Sequence, residues 1–206
     1  MNKKLTIYSL VALLTASTIT VSISSPTKAQ QNQSKPSRSA INKNTEVDKS
    51  FIEMMIPHHQ GAVEMAQMAV KKAKSPEVKK LAESIIKDQN REIEQMRTWY
   101  KKWYGAEVPK MEMNMQMHHG MGQEMMMVMH HQEMMDQEMM VALKNASNFD
   151  REFLRQMTSH HEMALMMAGM VVEGGVHPET RKLASSIIKS QSAEINKMGQ
   201  LSQTIK

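Results

Sequence analysis

The chain repeats itself. Phe51-x3-Met55-x2-His58-His59-x2-Ala62-x2-Met65-Ala66-x-Met68 recurs without a gap, at an offset of 102 residues, as Phe153-x3-Met157-x2-His160-His161-x2-Ala164-x2-Met167-Ala168-x-Met170. The match runs on through Pro76-Glu77 and Pro178-Glu179. It continues through Lys80-Leu81-Ala82-x-Ser84-Ile85-Ile86-Lys87-x-Gln89 and Lys182-Leu183-Ala184-x-Ser186-Ile187-Ile188-Lys189-x-Gln191. Glu92-Ile93 and Met96 answer to Glu194-Ile195 and Met198. Two copies of one sequence adopt one architecture, and one small unit cannot bury its own apolar face alone. The two halves must therefore pack on each other.

Each half reads as helix, break, helix. The first helix is expected from near Thr45, where Thr45-x-x-Asp48 is a shortened capping box. Its apolar stripe is Phe51, Met55, His58, Ala62, Met65 and Ala69, at the alternating three- and four-residue spacing of one helical face. Ser75 suits an N-cap and Pro76 the first position of a second helix. That helix carries Leu81, Ala82, Ile85, Ile86, Gln89, Ile93 and Met96 and fades near Gly105. In the other half Ser147-x-x-Asp150 opens a helix to about Glu173, Gly174-Gly175 ends it, and Pro178 starts the last one. Pro57 falls inside the first helix and predicts a kink; Ser159 stands at the equivalent position, so the two halves are related but not identical. The reading is an all-α four-helix bundle built from duplicated hairpins at 46–105 and 147–206.

Between them lies a Met/His-rich insert at 106–146. Met111, Met113, Met115 and Met117 alternate at period two before His118-His119-Gly120-Met121-Gly122, which predicts an irregular or mobile stretch. From Gln123 to about Asn145 helix formers return, so an additional helix or an extension of the third is expected there.

Composition now matters. The chain has 25 methionines, 9 histidines and no cysteine, and all the histidines but His177 sit in pairs: His58-His59, His118-His119, His130-His131 and His160-His161. Methionine specifies core packing poorly, so such an excess needs a chemical reason. Thioethers are soft, neutral donors, and imidazole suits copper in either oxidation state. Without cysteine, disulfides, thiolate zinc sites and iron–sulfur clusters are excluded. His58 and His160 lie on the apolar stripe, with Met55 and Met157 three residues before and Met65 and Met167 seven after. Neighbours on a helix point about 100° apart, so one histidine of each pair should face the interior and the other a groove. Candidate metal ligands are Met54, Met55, His58, His59, Met65, Met157, His160, His161, Met163 and Met167. In the insert they are Met115, Met117, His118, His119, Met121, Met126, Met129, His130, His131 and Met134. Gln89, Glu92, Gln191 and Glu194 are candidates for orienting the imidazoles.

Blander readings compete. His58 and His160 could be core histidines held by Gln89, Gln191, Glu92 or Glu194. The insert could be an adaptable Met-rich surface for partner helices, or an oxidant sink. These leave the histidines of the insert without a purpose. Several thioethers favour Cu(I); imidazole with carboxylate favours Cu(II) and admits Zn(II) or Ni(II). Other chemistry is missing: no Glu-x-x-His of a di-iron centre, no metalloprotease pattern after His161-Glu162, no phosphate loop and no nucleophile elbow.

The N-terminus reads as an export signal over 1–29: Lys3 and Lys4, then an apolar run to Ile23, then Thr27-Lys28-Ala29. An uncleaved anchor is the alternative, and the run's many Ser and Thr argue against it. No twin arginine is present, so metal would be loaded after export. A polar stretch at 30–45 reads as a disordered tether. Losing Lys3, Lys4 and Lys28 lowers the net charge from +5 to +2, and the other lysines are spread among glutamates. Nothing there marks a nucleic-acid footprint, and no membrane association is expected after cleavage.

The motif Met55-Ile56-Pro57-His58-His59-Gln60-Gly61-Ala62-Val63-Glu64-Met65-Ala66, with its echo from Met157 to Ala168, resembles a bacterial family of exported, ferritin-like four-helix proteins long labelled a domain of unknown function. The resemblance covers about 46–206, and the Met-rich insert makes it similar to periplasmic copper-binding members tied to copper resistance. It implies a non-enzymatic protein that sequesters or ferries Cu(I) and Cu(II), with an efflux or delivery partner. The implied ligands are Met55, His58, His59, Met65, Met157, His160, His161 and Met167. The alternatives are a copper-dependent redox enzyme such as a cuprous oxidase, using Trp99, Trp103 and tyrosines as electron conduits, and a metal-free helical interaction module.

Overall fold

The computed structural model describes residues 38–109 and 123–205, all within one compact unit, Pro36–Lys206. Five helices occupy them: α1 (Arg38–Lys72), α2 (Pro76–Tyr104), α3 (Gln123–Asn145), α4 (Phe149–Gly174) and α5 (Pro178–Thr204). The duplicated pairs are α1–α2 and α4–α5, each packed along its own length, and α1 packs against α4. This is the expected four-helix bundle. The insert adds α3, which lies against α1 and α4.

Most boundaries follow local chemistry. Ser75 accepts a hydrogen bond from the Val78 N–H and Pro76 opens α2. Pro178 opens α5 in the same way, with His177 at the cap position. Two caps differ from expectation. Asn148, not Ser147, accepts from the Arg151 N–H and caps α4. Helix α1 begins at Arg38, so Thr45 lies within it rather than at its start. No proline or glycine interrupts residues 38–45, so a helix anchored further along propagates backwards through them. Helix α1 runs through Pro57 without a break.

The acids read as capping residues have a larger task. Asp48 is wholly buried. Its Oδ2 accepts from the backbone N–H groups of Val176 and His177, both at 2.9 Å, and from His177 Nδ1 at 2.7 Å; its Oδ1 accepts from the Thr180 hydroxyl. Asp150, at the repeat position, accepts from the N–H groups of Lys74 and Ser75 at 2.9 and 2.7 Å. Each half's first helix thus satisfies the hairpin turn of the other half. Gly175 is required at this lock, because a Cβ there would stand 2.7 Å from Asp48 Oδ1.

The core forms two apolar clusters. One joins Ala62, Met65 and Ala69 of α1 to Phe153, Leu154 and Met157 of α4. The other joins Phe51, Ile52 and Met55 of α1 to Ala164, Met167 and Val171 of α4. Residues before the motif on one helix meet residues after it on the other. Helices α1 and α4 therefore run antiparallel and cross at the two His-His motifs. Met139 and Leu143 anchor α3 in the first cluster.

Candidate metal centre

At that crossing the His58 and His160 rings meet, with centroids 3.7 Å apart and planes tilted by 39°. The prediction of one inward and one groove-facing histidine is corrected here: His58, His59, His160 and His161 are all fully buried. The physical reason is the three-helix junction. The second histidine of each pair turns toward its hairpin partner helix, where a glutamate waits. His59 Nε2 lies 2.8 Å from Glu92 Oε2, and His161 Nε2 lies 2.8 Å from Glu194 Oε2. An N–H donated to these carboxylates leaves Nδ1 as the bare lone pair on each ring.

His58 and His160 are placed differently. Neither ring nitrogen of His58 has a hydrogen-bond partner, His160 meets only the Asp136 carboxylate in a loose 3.3 Å contact at Nε2, and Nδ1 of His59 and His161 has no partner either. The buried side chains of Gln89 and Gln191 are also unpartnered. The core-histidine reading therefore does not describe His58 and His160: no glutamate or glutamine hydrogen-bonds to them. Leaving a buried polar group unpaired costs about 1–3 kcal/mol. Six such ring nitrogens at one crossing make poor packing but a good donor set. Burial holds His58 well below the ordinary histidine value of 6.5, reinforced by His160, His59 and His161 around it. Burial also lowers His160, with Asp136 opposing the shift. The rings of His58 and His160 are therefore neutral near pH 7, the form that binds a metal. Among the described residues no three His, Asp or Glu groups stand ready to hold a metal.

Met55, Met65, Met157 and Met167 are buried, shared between the two clusters that meet at the crossing. Met54 and Met163 are half-buried. His130, His131 and Met134 lie exposed on α3, apart from the buried quartet. Met126 and Met129 fall on α3, their side chains outside the description. Met115, Met117, His118, His119 and Met121 lie outside the described residues.

A family model described as a domain of unknown function, DUF305, matches residues 48–202. The chain belongs to the DUF305 family. It is similar to CopM: the Cu(II)-bound structure is 50% identical with a TM-score of 0.62, over 76% of this chain and 96% of that one. The Cu(I)-bound structure is 46% identical, with a TM-score of 0.61 over the same shares. A DUF305 fragment from Deinococcus radiodurans shares the fold at 24% identity and a TM-score of 0.62, over 78% of this chain and 97% of that one. An uncharacterized protein of Acanthamoeba polyphaga mimivirus is 43% identical over 49 residues, 24% of this chain and 32% of that protein. The chain thus matches about a third of that relative's length.

The duplicated motif accounts for the quartet but not for everything around it. Asp136 of α3 places Oδ1 3.3 Å from His160 Nε2 and was not among the expected site residues. It lies outside the duplicated segment, so the repeat cannot flag it. The one available signal was Gly61, whose repeat counterpart is the bulky Met163. Tyr100 donating to the buried Glu53, and His177 stacked at 3.7 Å on Trp103, also escaped sequence reasoning.

Proposed function

We propose that this DUF305 protein binds copper at the α1–α4 crossing and sequesters or ferries it as Cu(I) or Cu(II), in support of copper resistance and homeostasis. The observation that carries the reading is the set of unpartnered ring nitrogens on His58, His59, His160 and His161, fully buried on the two helices that also carry the four buried, duplicated methionines. Thioethers with imidazole suit Cu(I); imidazole with carboxylate suits Cu(II). The similarity to CopM, whose structures hold Cu(I), Cu(II) and Ag, supports it. Glu92 and Glu194 orient His59 and His161 for this task. The N-terminal export signature and the absence of cysteine support a periplasmic protein. Among the described residues no helix is long and apolar enough to cross a membrane. Copper is cargo in this reading, and the protein is not an enzyme.

Anaerobic Cu(I) titration against a competing chelator tests it. At least one tightly held ion per chain is expected, and fewer overturns the reading. Replacing His58, His59, His160 and His161 together with glutamine should abolish tight binding with helicity intact. A variant that unfolds instead restores the core-histidine reading.

A further inference from the structure

We infer that Asp136, carried by the insert helix α3, is a metal-binding residue of the buried centre and gives its His160 side a preference for the divalent ion. The inference rests on the copper-binding reading above and deepens it. His160 is fully buried, and its Nε2 has no hydrogen-bond partner. Asp136 Oδ1 stands 3.3 Å from that nitrogen. A charge-assisted hydrogen bond would bring the two to about 2.7–2.9 Å. The observed contact is looser than that, so the carboxylate faces the imidazole without a tight bond to it.

The carboxylate is built into its place. Gln132, one turn earlier on α3, donates Nε2–H to Asp136 Oδ1 at 3.1 Å. Helix α3 comes close enough only because position 61 is glycine: a Cβ there would stand 2.9 Å from Asp136 Oδ2. Met139 and Leu143 fix the helix from below by inserting into the core. Met163 occupies the position equivalent to Gly61 in the second half, and α3 occurs once. So the duplicated centre receives this carboxylate on one side alone. The other nearby carboxylates, Glu92 and Glu194, are already bonded to His59 and His161. A hard carboxylate oxygen added to imidazole favours Cu(II), whereas thioether and imidazole alone favour Cu(I). The Asp136 side chain is 19% exposed, so the ion can be met at the edge of the core.

Two variants of the full chain test this: Asp136→Asn, which removes the charge at constant shape, and Gly61→Ala, which displaces the carboxylate and keeps it. Cu(II) and Cu(I) affinities are measured separately by chelator competition, with the electron paramagnetic spectrum of the Cu(II) form and circular dichroism alongside. Asp136→Asn should lower Cu(II) affinity at least about tenfold and change the Cu(II) spectrum, with Cu(I) affinity within about threefold of the parent. Gly61→Ala should shift Cu(II) in the same direction. Unchanged Cu(II) affinity and spectrum in both variants, or equal losses for both ions, overturns the assignment of Asp136. If Asp136→Asn loses its helicity, Gly61→Ala alone decides. A parent chain that holds less than one copper ion overturns the copper-binding reading itself, a result visible before any variant is made.

Discussion

His58-His59 and His130-His131 look alike on paper: two adjacent histidines in a helix, with methionine close by. In the folded chain they have little in common. The first pair is fully buried where two helices cross, in ring contact with its repeat partner and braced by Glu92. The second is exposed on α3. The difference teaches that the motif alone does not make a site. What distinguishes the buried pair is donor nitrogens withdrawn from water and left without partners, so an ion need not compete with solvent for them.

The harshest way to break this contrast is to unlock the two halves whose crossing creates the buried pair. Asp48→Ala strips the Asp48 carboxylate from two backbone N–H groups, the His177 ring and Thr180, and should cost about 3–5 kcal/mol of stability, read from denaturant midpoints. Asp150→Ala, which frees the N–H groups of Lys74 and Ser75, should cost less, about 1–3 kcal/mol.

Protons probe the buried pair next. Burial lowers His58 and His160 in the folded chain below the 6.5 they regain on unfolding. The unfolded chain therefore binds more protons between the folded and unfolded values, and stability rises with pH across that window. The metal-free protein should lose stability as pH falls below 6.5. The His58→Gln, His160→Gln double variant should show a flatter profile in thermal melts taken from pH 7 to 5.

A milder sharpening leaves the rings in place and removes their braces. Glu92→Gln with Glu194→Gln should weaken copper binding about 10–100-fold while helicity stays unchanged, as measured by chelator competition. The smallest effect belongs to the exposed pair. His130→Ala with His131→Ala should change stability by no more than about 0.5 kcal/mol and leave the tightest copper site within threefold of the parent.

Much of the scaffold was legible because it depends on local spacing. The stripe Phe51, Met55, His58, Ala62, Met65 and Ala69 is buried throughout, and Ser75, Pro76 and Pro178 open their helices where expected. The site itself was only half legible. The repeat nominated His58 and His160, but their ring contact depends on the register of two helices a hundred residues apart, which no local pattern encodes. Asp48 and Asp150 looked like caps of their own helices, whereas each serves the turn of the opposite half. Gln89 and Gln191 were expected to hold imidazoles and hold nothing, while Glu92 and Glu194 hold the second histidine of each pair. Asp136 was invisible because α3 has no duplicate to compare it with.

The central claim is that copper sits among His58, His59, His160 and His161. Anomalous scattering from crystals of the chain soaked in copper addresses it directly. The account predicts a strong peak at the α1–α4 crossing, within bonding distance of a His58 or His160 ring nitrogen. Copper found only at His130-His131 or elsewhere on the surface, with the buried quartet empty, would contradict it.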